Sequence, residues 1–290
     1  MHDIGNLDGP VLVFGGPYGN LQAVRAVLAE AKRLGIPPSR VICTGDVVAY
    51  CADPAATVDV IRDWGIHVVM GNCEESLGFD EDDCGCGFEE GSACQALSVE
   101  WFARARAALD GGAKTWMRSL PRTVLFTLSG RRLAAIHGGG GEISRFIFAS
   151  TASGEKKAEV RILADTAGKP IDGVIAGHCG LPFTETLGDR LWHNAGVIGM
   201  PANDGTPRTW YSVLSPRGNL IQVSHFPLDY DHQGAAAAMG GKNLAAAYAQ
   251  TLADGLWPSM DVLPAAERAV RGIPLAPPVV LWPARSRAAA

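Results

Sequence analysis

The stretch Val41-Ile42-Cys43-Thr44-Gly45-Asp46 joins a short apolar run to a carboxylate. The small and apolar residues predict a short buried strand, which Gly45 ends. Asp46 is therefore left at the carboxyl end of that strand. Open α/β sheets bind their ligands in the crevice outside the carboxyl ends of the strands. We predict that Asp46 is a ligand-binding residue and, more specifically, a metal ligand.

The composition is that of a soluble globular protein with a large core. The chain has 290 residues, of which 47% are hydrophobic and 19% charged, with a net charge of −5. No basic run is longer than two residues, so a nucleic-acid-binding surface is not expected. Neither a secretory signal pattern nor an apolar run long enough for a bilayer occurs, so we expect a cytoplasmic protein without membrane contact. Seven cysteines in such a chain favour thiols or metal ligands over a disulfide framework.

Strands and helices alternate over the first seventy residues. Apolar runs predict strands at 11–14, 41–43 and 67–70, each followed by a glycine-marked turn. Helical spacing of apolar residues predicts helices at 20–33 and 53–64 between them. Repeated β-α-β units imply a parallel sheet with its functional groups at the loop ends.

The rest of the chain is predicted to be mainly β-structure followed by helices. The alanine-rich residues 235–272 are expected to form a helical tail, and the last dozen residues, rich in Pro and Ala, to trail over the surface. Further helices are predicted at about 96–109, near Trp116 and at 154–167. The further predicted strands are 123–128, 132–136, 173–176, 183–187, 190–193, 209–214 and 220–223.

Residues 73–94 interrupt this rhythm with an acidic, cysteine-rich loop that lacks periodicity. It contains Cys73, Cys84, Cys86 and Cys94, at a spacing that matches no standard zinc module. Two interpretations stay open. The segment is either an acidic surface loop with incidental thiols, or it folds over the crevice and donates sulfur to Zn or Fe, which thiolates bind well.

Four polar side chains occupy corresponding places at strand ends. Asp46 and Asn72 follow glycines, His137 precedes a glycine run, and His178 follows Gly177. Glycine on one side of each donor lets backbone and ligand approach closely. One Asp, one Asn and two His form a donor set that suits Zn, Mn or Fe(II). The sequence therefore predicts a divalent transition-metal site.

The motifs that contain these donors resemble those of the calcineurin-like metallophosphoesterases, in particular the small bacterial phosphodiesterase and diadenosine-tetraphosphatase types. The resemblance covers about residues 10–225 and implies a single domain over 1–290. The implied fold is α/β, a two-sheet αββα sandwich with a helical C-terminal extension. The matching motifs are G-D-V-V-A-Y at 45–50, G-N-C-E at 71–74, H-G at 137–138, G-H-C-G-L-P-F at 177–183 and N-A-G-V-I-G-M-P at 194–201.

The resemblance also shows where this chain departs from the family pattern. It implies two metals that share Asp46, one of which is also held by Asn72, His137 and His178. The second metal would use the positions occupied here by Gly16, Tyr18 and Gly180, so its ligands are lost. The general-acid histidine of the family is replaced by Cys73, which becomes the candidate catalytic residue.

Further residues are candidates for rebuilding the second metal site or for binding substrate. A second Zn or Fe would need extra ligands, which cysteine thiolates and a phenolate can supply. A phosphate group would be held by polar side chains and by the backbone N–H groups of a glycine run. The candidate extra metal ligands are Tyr18, Cys84, Cys86, Cys94 and Cys179, and the substrate-binding candidates are Asn20, Gly138 and His193.

The sequence thus predicts a hydrolase, a metal-dependent phosphoesterase variant acting on a phosphomonoester or phosphodiester of a small molecule. That substrate is the expected partner. Two alternatives remain. One is a non-catalytic descendant that binds a metal or ligand, and the other is a thiol-ligated metalloenzyme with different chemistry.

Overall fold

The computed structural model describes residues 1–240 and 243–285, and twelve strands lie in those ranges. Several are buried on both faces, which explains why the sequence shows unbroken apolar runs rather than alternation. In chain order the strands are β1 (His2–Leu7), β2 (Val11–Phe14), β3 (Val41–Cys43), β4 (His67–Val68), β5 (Val124–Leu128), β6 (Arg131–Ala135), β7 (Gly173–Ala176), β8 (Phe183–Leu187), β9 (Arg190–Asn194), β10 (Thr209–Arg217), β11 (Leu220–Leu228) and β12 (Val280–Pro283).

Helices lie in five of the eleven connections between these described strands. Asn20 caps the first of them by accepting from the backbone N–H of Ala23, and Gly65 ends the second in a left-handed conformation. In the described part of the chain the helices are α1 (Leu21–Arg33), α2 (Pro54–Trp64), α3 (Asn72–Gly78), α4 (Ala93–Ala108), α5 (Gly111–Ser119), α6 (Ser153–Ala167), α7 (His232–Ala238), α8 (Asn243–Asp254) and α9 (Ala265–Ala269).

The strands form two six-stranded mixed sheets. One has the order β1-β5-β6-β7-β9-β8, and the other has the order β12-β11-β10-β2-β3-β4. In the second sheet β2, β3 and β4 are parallel, whereas β10, β11 and β12 are joined in antiparallel fashion. The predicted αββα sandwich is confirmed.

The core between the two sheets decides which face each strand presents. Val11, Val13 and Ile42 pack with apolar residues of the first sheet, including Leu133 and Ile175. Their neighbours Leu12, Phe14 and Cys43 point the other way and pack with the helices. This layering sets the carboxyl ends of β3 and β4 beside those of β6 and β7.

Two expectations about irregular segments are wrong. The predicted loop at 73–94 begins as helix α3, and the backbone N–H of Gly71 at the start of that helix donates to the Glu74 carboxylate. The tail predicted to trail over the surface instead adds β12 to the edge of the second sheet, with Trp282 fully buried. Burial of that ring outweighs the flexibility suggested by the surrounding prolines.

The predicted helical tail at 235–272 corresponds to α7, α8 and α9 separated by non-helical segments. The parts of the C-terminal expectations that concern residues 241–242 and 286–290 lie outside the described residues. Among the residues described, no helix has the length and apolar character that crossing a membrane requires.

Candidate metal centre

Four donor atoms converge at the carboxyl ends of β3, β4, β6 and β7. The Nε2 atom of His137 lies 2.9 Å from Oδ1 of Asn72, 3.0 Å from Nδ1 of His178 and 3.3 Å from Oδ2 of Asp46. All four residues are buried, and His178 is the most exposed at 9%. The four predicted ligands are therefore brought together, two from each sheet.

The backbone at this centre adopts conformations that ordinary residues avoid. Asp46 and His178 have φ angles of 57° and 61°, in the left-handed region. Such residues cost about 1–3 kcal/mol each and persist where the surrounding structure holds them. Gly45 is required beside them, because a Cβ there would lie 2.7 Å from the backbone nitrogen of Gly71. Two of the four converging donors therefore have strained backbone conformations.

Contacts around the donors fix their orientation. The Nδ1 atom of His137 lies 2.7 Å from the carbonyl oxygen of Thr44 and donates a hydrogen bond to it. The other ring nitrogen, Nε2, is therefore the one available to bind a metal. The amide nitrogen of Asn72 donates to the carbonyl oxygen of Cys84 at 2.8 Å and lies 3.3 Å from Sγ of Cys86. The Asn72 amide oxygen is thereby directed toward the centre.

Glu74 is a component of this centre that the sequence analysis missed. Its fully buried carboxylate accepts backbone N–H bonds from Asp46 at 2.7 Å, Val47 at 2.8 Å and Gly71 at 2.9 Å. It thus clamps the β3 loop onto the start of α3. Glu74 is the third residue of a helix, where acidic residues commonly bond back to the cap, and that position is the signal that could have revealed it.

Burial and neighbouring charge set the protonation states of the donors. Burial opposes ionisation of Asp46, but the two histidines hold its pKa below the usual range. Burial and then the neighbouring His137 lower the pKa of His178 to about 3. Burial, followed by the Asp46 charge, raises the pKa of Glu74 to about 7. Asp46 is therefore a carboxylate and His178 a neutral imidazole, the forms that bind metals.

The donor set fits a divalent metal. Ligand atoms of Asp46, His137 and His178 all lie within 4.8 Å of one another, and Asn72 adds an amide oxygen. Two imidazole nitrogens that face each other at 3.0 Å are compatible with a shared proton or with a cation between them. Imidazole and oxygen donors together suit Zn, Mn or Fe(II).

The motif resemblance implies a second metal held at the positions of Gly16, Tyr18 and Gly180. In this chain aromatic rings cover those positions. A Cβ at Gly16 would lie 2.5 Å from Cζ of Tyr18, and a Cβ at Gly180 would lie 3.3 Å from the ring of Trp257. Burial and then the Asp46 charge raise the pKa of Tyr18 well above its usual range, so its phenol stays protonated. The space beside the first centre is therefore apolar.

The candidate cysteines are placed differently from one another. Cys84 and Cys86 are paired as a disulfide, contrary to the expectation of free thiols. Cys94, Cys86 and Cys179 line the cleft described below. Burial raises the pKa of the Cys179 thiol to about 12. In the described part of the chain the sulfurs do not form a metal-binding group with three or more His, Cys, Asp or Glu donors.

Cys73, the candidate catalytic residue, is 1% exposed and packs in the core around α1 and α2. It does not appear among the residues that line the cleft. Burial first, and then the charge of Asp46, raise the pKa of its thiol well above the usual range. Its backbone N–H donates to Oδ1 of Asp46 at 3.2 Å, and its Sγ accepts from the amide nitrogen of Asn72 at 3.6 Å, so Cys73 borders the centre from the protein interior.

The three substrate-binding candidates are not brought to the centre through their side chains. Asn20 is buried at the start of α1 and donates to the carbonyl oxygen of Gly199 at 3.0 Å. His193 is fully buried, with both ring nitrogens bonded to the hydroxyls of Thr184 and Ser212. Gly138 faces the backbone of the 143–145 loop, where a Cβ would lie 2.3 Å from the carbonyl oxygen of Ile143.

A cleft opens from Asp46 and His178 toward the C-terminal part of the chain. It is lined by residues of α4, the loop at 86–88, and the segment from α8 to Val262. Most of the surface is apolar, and the ring of Phe146 lies 4.1 Å from that of His178. The aromatic lining residues are Tyr18, Tyr50, Phe88, Phe146, Tyr248 and Trp257.

Comparisons with known proteins agree with this architecture. The chain is 23% identical over 238 residues to an uncharacterised protein of Methanocaldococcus jannaschii, which covers 76% of this chain and 88% of that protein. A metallophosphoesterase from Sphaerobacter thermophilus superposes with a TM-score of 0.63 and 19% identity, over 85% of this chain and 99% of that one. A hypothetical protein from Pyrococcus horikoshii gives 0.68 and 14%, over 86% and 99%. These structural likenesses show the fold.

A match to a family model identifies the chain more directly. Residues 17–215 match the model of the calcineurin-like phosphoesterase superfamily domain. This range is more than half of the chain and contains all four converging donors. The resemblance of the motifs is confirmed, and the chain belongs to the calcineurin-like phosphoesterase superfamily.

Proposed function

We propose that this chain is a hydrolase that cleaves a phosphomonoester or phosphodiester of a small molecule with a metal at one centre. The observation that carries the proposal is the convergence of Asp46, Asn72, His137 and His178 at hydrogen-bond distances. These are the residues that would hold a divalent cation such as Mn, Fe or Zn. When bound, such a cation acts as a Lewis acid on a phosphoryl oxygen and lowers the pKa of water.

The residues of the chain supply orientation and a dry environment. Thr44 and Glu74 hold His137 and the Asp46 loop in place, so the donors need little rearrangement. The rings of Phe146, Tyr18 and Trp257 border the cleft and limit the access of bulk water. A phosphoryl group next to His178 would therefore lie in a site of low dielectric, where electrostatic stabilisation is strongest.

The Asp46 carboxylate offers the sharpest test. We expect Asp46→Asn, which keeps the shape and removes the charge, to lower the hydrolysis of bis(4-nitrophenyl) phosphate by at least about 100-fold and to weaken metal binding. The measurement is activity and bound metal after reconstitution with Mn, Fe(II) or Zn. Asp63→Ala, at an exposed position on α2, is the control, and it should keep the wild-type activity and the wild-type amount of bound metal.

One outcome would favour the non-catalytic alternative. The lost second metal ligands are the observation on which that alternative rests, because a two-sided clamp on attacking and leaving oxygens needs two metals. Metal bound at the wild-type centre with no turnover of any phosphomonoester or phosphodiester would overturn the proposed activity. Loss of metal in a Cys179→Ser variant would instead point to the thiol-ligated alternative, because Cys179 is a free thiol that lines the cleft.

A further inference from the structure

The walls of the cleft beside the metal centre are aromatic. Tyr50 contacts Tyr18 edge-on at 4.8 Å and Tyr248 at 4.7 Å between ring centroids. On another wall, Phe146 lies against the ring of His178 at 4.1 Å. Any group that extends from a phosphorus atom near His178 therefore meets ring faces and edges at once.

These walls are held in place by contacts of their own. The indole N–H of Trp257 donates to the carbonyl oxygen of Pro201 at 2.7 Å, and its backbone N–H donates to Oδ1 of Asn203 at 2.8 Å. Phe146 is also stacked with Phe148 at 5.8 Å. Rings fixed in this way lose little conformational entropy when a ligand binds, which favours rigid planar partners.

The charge of the cleft limits how many negative charges a ligand can carry. None of the residues found to line the cleft in the described part of the chain is Lys or Arg. A divalent cation together with the Asp46 carboxylate leaves at most one net positive charge, because the buried Glu74 carboxylate behind Asp46 can only lower it. A phosphodiester carries one negative charge and is matched, whereas each further phosphate of a polyphosphate would be buried without a counter-charge, which is costly.

Part of the wall comes from outside the matched family residues. Trp257, Tyr248 and Val262 come from α8 and the segment after it, beyond the matched family residues 17–215. The ring of Trp257 also covers Gly180, where the resemblance has a ligand of the second metal. The same aromatic residue therefore removes space for a second cation and builds an apolar surface.

We propose that this cleft selects phosphodiesters whose alcohol carries an uncharged aromatic group and that it discriminates against polyphosphates. The inference rests on the proposed function for the site, since it assigns the substrate class of the same centre. The phosphodiester group lies at Asp46 and His178, and the aromatic group packs between Phe146 and Trp257. Stacking with two or more rings supplies the selectivity.

Binding of phosphinates tests this inference without turnover, because these monoanions contain no ester bond. In calorimetry on the manganese-loaded chain, we expect diphenylphosphinate to bind at least about tenfold more tightly than dimethylphosphinate. Inorganic tripolyphosphate, with free manganese kept in excess, is expected to bind more weakly than diphenylphosphinate. Equal affinities for the two phosphinates, or tighter binding of tripolyphosphate, would overturn the proposal.

Variants locate the aromatic contact. Trp257→Leu should weaken the binding of diphenylphosphinate by about five- to tenfold and leave the binding of dimethylphosphinate unchanged. Trp257→Phe should keep most of the difference in affinity between the two phosphinates. Phe226→Leu makes the same kind of exchange on a partly exposed ring stacked on Tyr211, away from the cleft, and should bind as wild type. Unchanged diphenylphosphinate binding in Trp257→Leu would contradict the assigned wall.

The outcome separates this inference from the activity it builds on. Aryl preference in binding with no hydrolysis of any phosphodiester would refute the proposed function and keep the assigned ligand class. Hydrolysis of dialkyl and diaryl phosphodiesters with equal kcat/KM, together with equal phosphinate binding, would refute the ligand class and keep the function.

Discussion

Some residues of the metal centre could be predicted from the sequence, and one could not. Asp46, Asn72, His137 and His178 could be predicted because each stands at a strand end in a recognisable motif. Glu74 lies within one of those motifs, yet its role is apparent only from three backbone N–H groups that approach it in space. Such contacts have no periodic signature, so residue spacing does not reveal them.

Replacing Glu74 tests the clamp. In Glu74→Gln one carboxylate oxygen becomes an amide nitrogen, so at least one of the three buried N–H groups loses its acceptor. We expect unfolding free energy to fall by about 1–3 kcal/mol. The neighbouring Glu75 pairs with Arg122 at the surface, so Glu75→Gln should cost at most about 1 kcal/mol. Urea unfolding of the metal-free variants gives both values, and equal losses would contradict the clamp.

Cys73 offers a test of whether a general acid remains at the family position. A true general acid contributes about 10²–10⁴-fold to rate. Because the thiol is buried and lies outside the cleft lining, we expect Cys73→Ser to change kcat less than about tenfold. A loss of 100-fold or more, largest for poor leaving groups, would show that the thiol is the acid.

At the scale of elements, most strands could be predicted closely, while the first and last strands, β1 and β12, could not. The strands at 11–14, 41–43 and 173–176 have the predicted bounds because they are short apolar runs ended by turn residues. The strand at 280–283 is flanked by prolines and pairs with residues some sixty positions earlier. This strand forms because of tertiary packing, which cannot be predicted from local residue propensity.

The buried ring on that strand should make a large contribution to stability. Trp282 is fully buried, its indole N–H donates to the carbonyl oxygen of Asp189 at 3.0 Å, and the Arg131 guanidinium lies 4.7 Å from its ring centroid. Trp282→Ala should lower the unfolding free energy by about 3–5 kcal/mol. Leu281 on the same strand is 56% exposed, and Leu281→Ala should cost less than about 1 kcal/mol. Similar unfolding midpoints for the two would refute this.

At the scale of the whole molecule, the two sheets are joined by polar bridges as well as by the apolar core. His137 reaches across to the carbonyl oxygen of Thr44, and His193 of β9 bonds to Ser212 of β10 at 2.7 Å. The sequence placed His193 near the substrate because of its position before a motif. It lies instead between the sheets, since only the packing of two distant strands shows what surrounds it.

The bridge at His193 should make stability depend on pH. Burial, and then the neighbouring His225, lower the pKa of His193 well below its usual range in the folded chain. Above about pH 6.5 neither state binds the proton and the contribution is complete. As the pH falls below 6.5 the unfolded chain takes up the proton and the folded chain does not, so stability falls by up to about 1.4 kcal/mol per pH unit.

Urea unfolding of the metal-free chain at pH 7 and pH 5 checks this. His193→Gln removes the titrating group, so its unfolding free energy should fall less between these pH values than that of the wild type. The same pH dependence in both proteins would show that His193 is not the source.

The central claim is that one metal is held by Asp46, Asn72, His137 and His178, and that aromatic rings occupy the place of a second. Measuring bound metal per chain by mass spectrometry, after reconstitution and removal of excess ions, tests it most directly. We expect one divalent metal per chain in the wild type and none in His137→Ala. Two metals in the wild type, or one retained in His137→Ala, would contradict it.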